Sequence, residues 1–235
     1  PDAAVRLVGA ADADELPQVF RAYVLDFAGQ VDWAIYYPPA LLLRAADGSA
    51  AGQLLAAGKV DAALAALRCG APDEAPEGAV LCLLGAVKRN QIAEVDRRLA
   101  EPRADDGAWQ LAASYGYQLR GRLREAEAAA RTGLALRPDD LFARARLAEV
   151  LLLRGAAWQA LQVLPETGQA CGPEALVEAG TGFALLADRS GHAALRRFDC
   201  AVARDGGLPL ARLGRGLALI RLGRLAEGRG ELENA

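Results

Sequence analysis

Small and large apolar residues recur through the second half of the chain with a period of 34 residues. A period that long belongs to a repeating supersecondary unit rather than to a single helix or strand. With Gly107, Leu141, Ala175 and Pro209 as first positions, the eighth positions are Ser114, Ala148, Gly182 and Gly216, all small. The twentieth positions are Ala126, Ala160, Ala194 and Gly228, small again. Between them the eleventh positions carry Tyr117, Leu151, Leu185 and Leu219, and the twenty-fourth carry Ala130, Leu164, Phe198 and Leu232. The fifteenth positions are Gly121, Gly155, Arg189 and Gly223.

Paired antiparallel helices produce this pattern. Two helices approach closely only where their facing side chains are small, and larger apolar groups three or four residues away fill the flanking space. A glycine at the fifteenth position takes the left-handed conformation that ends the first helix of a pair. Pro138 stops a second helix, while Pro165 falls inside one and predicts that it is short or kinked. Upstream, residues 49–74 read as a further hairpin turning at Gly58, and residues 77–102 as another turning near Asn90, both slipped in phase. Six helical pairs are thus expected from about residue 47 onward, the last without its final residues or a polar capping helix, so the chain is expected to continue as part of a longer protein.

The stretch ASYGYQLRGRLREAEAAARTGLALRPDD, residues 113–140, resembles the tetratricopeptide repeat family in its small–Tyr–Gly–Ala–Pro spacing. The likeness covers roughly residues 107–235 and is weaker upstream. Trp109 sits one place early for the family's first aromatic, Arg189 replaces a turn glycine, and Arg215 stands where an apolar residue is usual. The resemblance implies an all-α, right-handed solenoid whose concave face is lined by the first helix of each pair, with ligand contacts largely at positions two, five, nine and twelve. Position two supplies Ala108, Phe142, Leu176 and Leu210; position nine Tyr115, Glu149, Phe183 and Leu217; position twelve Gln118, Leu152, Leu186 and Ile220. That lining is more apolar than an open groove tolerates. Either these residues pack between adjacent repeats, or a cover sits over them: the N-terminal arm, a partner peptide or a second copy. In the partner-binding reading Tyr115, Phe142 and Phe183 are anchors, Arg146 and Glu149 fix register, and Leu217 and Ile220 complete the groove. The family's carboxylate clamp uses Asn at position nine, which this chain lacks.

Residues 1–46 stand outside the period and read as an extended arm: VRLVG suits a short strand, and Pro38 and Pro39 forbid a helix. The element WAIYYPP, Trp33 to Pro39, resembles the connector between a FecR-type domain and a tetratricopeptide array in bacterial envelope proteins, which implies a periplasmic or cell-surface setting; a cytoplasmic one is the alternative. The organisation expected is therefore an arm over 1–46, two degenerate hairpins over 47–105 and four repeats over 106–235.

Composition narrows the function without naming it. A net charge of −3 with interspersed charges argues against nucleic acid, and no apolar run reaches the length of a membrane span. Cys69, Cys82, Cys171 and Cys200 show no metal-ligand spacing, and His192 is the one histidine. The cysteines read either as four small buried hydrophobes or with Cys69 paired to Cys82, which requires an oxidising compartment. Ser114 faintly echoes a nucleophile elbow but lies at a small helical position, and the glycines Gly214 and Gly216 follow no strand. His192 reads as a solvated turn residue, and Glu125, Glu127 and Glu149 as helix-surface carboxylates. The expectation is a non-catalytic protein-interaction scaffold without metal or cofactor, or alternatively a subunit that self-assembles.

Overall fold

The computed structural model describes residues 51, 60–67, 69–70, 76–101, 103–165 and 170–235. The expected N-terminal arm, its WAIYYPP element and the turn at Gly58 lie outside those residues. Among the described residues every element is a helix: α1 Val60–Ala66, α2 Pro76–Lys88, α3 Ile92–Leu99, α4 Gly107–Leu119, α5 Leu123–Leu136, α6 Leu141–Leu153, α7 Ala157–Val163, α8 Ala175–Ala187, α9 Gly191–Arg204, α10 Pro209–Arg221 and α11 Leu225–Glu233. Their contacts divide the chain into two compact units, and the boundary falls within α6 between Arg146 and Leu147.

One local device joins the helices of each pair. Gly121, Gly155 and Gly223 adopt φ of +69°, +76° and +80°. Arg189, the exception in the glycine series, takes the same left-handed conformation at φ +64°, and Asn90 does so at φ +53°. At Gly121 the amide donates to the Gln118 carbonyl at 2.8 Å and the Arg122 amide to the Tyr117 carbonyl at 2.9 Å. The same two bonds recur at Gly155 and Ala156, at Arg189 and Ser190, at Gly223 and Arg224, and at Asn90 and Gln91. They satisfy carbonyls that a helix end otherwise leaves open. The residue after the left-handed one starts the next helix, its carbonyl accepting from position twenty: Ala126 to Arg122, Ala160 to Ala156, Ala194 to Ser190 and Gly228 to Arg224, all at 2.9–3.0 Å. Two helices that follow longer connections, α4 and α6, start on side-chain caps instead, whereas α8 and α10 have none. The Asp106 carboxylate accepts from the Trp109 amide at 3.0 Å to cap α4, and Asp140 accepts from the Phe142 amide at 2.9 Å to cap α6.

In the unit that ends at Arg146, α4 packs along α5, α2 packs on α3 and α4, and α3 also touches α4. Small positions carry these contacts. Ser114 and Ala126 are fully buried. Gly133 of α5 receives Leu111, whose Cδ2 would lie 2.8 Å from an added Cβ. Gly116 of α4 receives Val95 and Leu99 of α3 in the same manner.

In the unit that begins at Leu147, α8 packs on α7, α9 and α10, α9 also meets α10, and α10 pairs with α11. Phe198, on α9, is the wedge of this unit. Its ring stands edge-on to Phe183 with centroids 5.0 Å apart, and it is seated between two glycines. A Cβ on Gly182 of α8 would come within 2.7 Å of the ring, and one on Gly214 of α10 within 2.0 Å. In the last hairpin the backbones themselves touch: a Cβ on Gly216 would meet the Gly228 carbonyl oxygen at 2.9 Å, and one on Gly228 the Gly216 carbonyl oxygen at 2.8 Å. Arg215, the polar departure from the apolar pattern, ion-pairs with Asp199 of α9 at 3.0 Å and Glu231 of α11 at 3.3 Å, so its charge links three helices. The expected shortening at Pro165 is also present: α7 ends at Val163 with Leu164 extended, at half the length of α9.

Two substitutions separate these causes. Gly214→Ala forces the Phe198 ring out of its seat and is expected to cost about 1–3 kcal/mol of stability. Arg189→Gly removes a left-handed non-glycine strain of about 1 kcal/mol, partly offset by the greater freedom of glycine in the unfolded chain, and is expected to raise stability by a few tenths to about 1 kcal/mol. Urea unfolding of both variants beside the parent checks the opposite signs.

Candidate functional site

The seven expected partner-binding residues come from first helices: Tyr115 on α4, Phe142, Arg146 and Glu149 on α6, Phe183 on α8, and Leu217 and Ile220 on α10. All seven are buried, with exposures between 0% for Arg146 and 9% for Phe183. Some of what they touch is internal. The Arg146 guanidinium lies over the Tyr115 ring at 3.6 Å, and its Nε donates to the Ser114 hydroxyl at 2.7 Å. Ser114 in turn donates to the Leu111 carbonyl at 2.6 Å. Phe183 is occupied by Phe198. At the remaining lining positions Ala108, Gln118 and Leu152 are half-buried, whereas Leu176, Leu186 and Leu210 are buried.

The residues weighed for chemistry are placed as follows. Ser114 is fully buried, with its hydroxyl engaged as both donor and acceptor. His192 is exposed in the first turn of α9, and Gly214 and Gly216 lie inside α10. Glu125 is exposed, where Arg122 donates to it at 2.9 Å, and Glu127 is half-buried and accepts from Arg131 at 2.8 Å. The placing of Glu149 corrects its reading as a helix-surface carboxylate: it is 6% exposed, because α6 is buried along most of its length. Among the described residues no group of three or more His, Cys, Asp or Glu is arranged to hold a metal ion. Also among them, no helix is long and apolar enough to cross a membrane.

The cysteines are not four buried hydrophobes. Cys69 joins Cys82, with Cα atoms 5.7 Å apart, and Cys171 joins Cys200, with Cα atoms 5.4 Å apart. In each pair one member is exposed, Cys69 or Cys171, and the other is buried in a helix. The second pair was the one that sequence reasoning missed. An antiparallel hairpin brings the start of α8 beside the end of α9, and Cys171 and Cys200 lie at those two ends.

Two further clusters carry buried charge. Arg98 of α3 is 1% exposed and donates through Nε to Glu94 at 2.6 Å. Glu94 also accepts from Arg97 at 2.7 and 2.9 Å. These bonds, from Arg97 first and then Arg98, hold the Glu94 carboxyl down at about 2, against burial that pushes it up. On α8, Glu178 is 1% exposed and accepts from the Gly172 amide at 2.6 Å and from Arg197 of α9 at 3.2 Å. The same Arg197 Nη1 donates to the Ala170 carbonyl at 2.9 Å. No protein-family model matches the chain, and no curated protein matches it.

Because Glu94 titrates lower in the folded chain than the ordinary 4.5, its contribution is present above that value and is lost as the pH falls through about 2. Its side chain is 34% exposed, so solvent screening reduces the expected contribution to on the order of 1 kcal/mol. Urea unfolding at pH 7 and pH 2.5 checks this. Glu94→Gln is expected to lose about that amount at pH 7 and to show a correspondingly smaller loss on acidification; identical losses in the two proteins would remove Glu94 from the acid response.

Proposed function

We propose that the chain is a non-catalytic protein-interaction scaffold: a right-handed solenoid of tetratricopeptide-type hairpins that binds a partner protein or peptide through its first-helix face. The observation that carries this reading is the recurrence of one hairpin closure. The same pair of backbone hydrogen bonds follows a left-handed residue at Gly121, Gly155, Arg189 and Gly223, each 34 residues from the last. Units that repeat in this way bury their faces on one another and extend a surface along the stack. Tyr115, Phe142 and Phe183 are covered in the free chain. Recognition through them is therefore an exchange, in which a partner segment takes over contacts now made within the chain, and Gln118 and Leu152, half-exposed on the same helices, are met first.

The cysteines bear on the proposed compartment. All four are paired, and disulfides persist where the surroundings are oxidising. This supports a bacterial periplasm or cell surface, the setting implied by the resemblance of the WAIYYPP element.

A photo-crosslinking amino acid placed at Gln118 or Leu152 tests the scaffold reading, with the exposed second-helix positions Arg131 and Arg196 as controls. The expected outcome, in the cell that makes the protein, is one discrete heteromeric product from 118 and 152 and none from 131 and 196. Products containing only this chain, growing with its concentration, would replace the scaffold with a self-assembling subunit. Equal yields from both sets would remove the first-helix face from recognition.

A further inference from the structure

The Cys171–Cys200 disulfide does more than tie two helix ends together. Residues 170–172 form a short strap ahead of α8, and three links hold it down, with a fourth bond joining the two side chains that anchor it. The disulfide fixes Cys171 to α9. The Gly172 amide donates to Glu178 of α8 at 2.6 Å, the Ala170 carbonyl accepts from Arg197 of α9 at 2.9 Å, and Arg197 closes the ring by donating to Glu178 at 3.2 Å. Glu178 is 1% exposed. A carboxylate so placed is stable only while its donors stay in position, because burial of an under-bonded charge is expensive. One of those donors belongs to the strap. The strap therefore completes the solvation of a buried ion pair, and the disulfide is its one covalent hold on α9.

Access is asymmetric in a way that suits exchange chemistry. Cys171 is exposed while Cys200 is buried at 8%. We propose that this disulfide is a redox latch: reduction by a dithiol frees residues 170–172 and opens the Glu178–Arg197 pair to water, while α8 and α9 stay folded. One thiolate of the dithiol attacks the Sγ of Cys171. The Cys171–Cys200 bond breaks, and Cys200 leaves as a thiolate that takes up a proton. The second thiol of the dithiol then attacks the mixed disulfide and releases Cys171 as a thiol. Two electrons and two protons pass to the cysteines, and the dithiol ends as its own disulfide. The helices hold because their contacts do not run through the strap: Phe198 stays wedged between Gly182 and Gly214, and Ala194 and Ala201 remain buried. With the latch open, the strap's amide and carbonyl are replaced by water around Glu178 and Arg197.

Hydrogen exchange read by mass spectrometry on the whole chain, before and after treatment with dithiothreitol, tests the latch, with free thiols counted by alkylation. A Cys69→Ser/Cys82→Ser variant assigns the effect to the remaining disulfide, and Cys171→Ser/Cys200→Ser in oxidising buffer reproduces the open form without reductant. Exchange over residues 170–174 is expected to rise by at least about tenfold, while peptides from 176–187 and 191–204 keep their protection. Unchanged exchange over the strap after both thiols have been counted would overturn the proposal. So would cooperative loss of α8 and α9, failure of the Cys171→Ser/Cys200→Ser variant to fold, or resistance of the disulfide to dithiothreitol in the folded chain, since each makes it a structural staple.

Discussion

A helix that ends leaves its last carbonyls without partners, and a chain that must turn back at once has little backbone with which to satisfy them. At Asn90, Gly121, Gly155, Arg189 and Gly223 this protein meets the constraint the same way. One residue enters the left-handed region, its amide and the next reach back to the closing turn, and the following helix begins on the very next carbonyl. A closure this short brings the two helices together near the turn, so the side chains there must be small. Ser114, Ala126, Ala160, Ala194, Gly216 and Gly228 follow from the turn rather than accompanying it. Arg189 shows the order of causes: the geometry is kept at φ +64° although the side chain disfavours it, because the surrounding helices determine the conformation more strongly than one residue's preference.

Once the turns and the small positions are fixed, the large residues have few places to go. In the unit beginning at Leu147 the Phe198 ring occupies the space that Gly182 and Gly214 leave open on the helices to either side. A small residue on a first helix therefore serves two neighbours at different positions: Gly182 and Gly216 at position eight, and Gly214 two residues earlier in its repeat. Arg215, beside Gly214, cannot join the apolar packing and instead pairs with an acid on each adjoining helix. Partial burial makes such a pair worth more than a fully exposed one, while its net contribution stays modest.

The helical character, the hairpin turns at Asn90, Gly121, Gly155, Arg189 and Gly223, and the buried small positions were legible in the sequence because each depends on local backbone geometry recurring at fixed spacing. The early stop of α7 was legible for the same reason, since Pro165 acts on its own neighbours. The capping carboxylates Asp106 and Asp140 carried a readable signal that the repeat pattern overshadowed. The fate of the cysteines was less legible. Pairing Cys171 with Cys200 requires knowing that opposite ends of one hairpin meet, and residues 29 apart in sequence carry no sign of it until the hairpin is built.

The lining of the first helices marks the limit of reasoning by repeat position. A position in a repeat fixes which way a side chain leaves its helix, and says nothing about what it then meets. Phe183 and Tyr115 both stand at position nine, yet one meets a phenylalanine ring and the other a guanidinium. Glu149, at the same position again, is a carboxyl group 6% exposed on a helix buried along most of its length. Burial at these positions changes the energetics of any recognition through them. A partner gains only the difference between its own contacts and those it displaces, so affinity at a covered face is set by how strongly the chain holds its own cover and less by the apolar area that the lining presents.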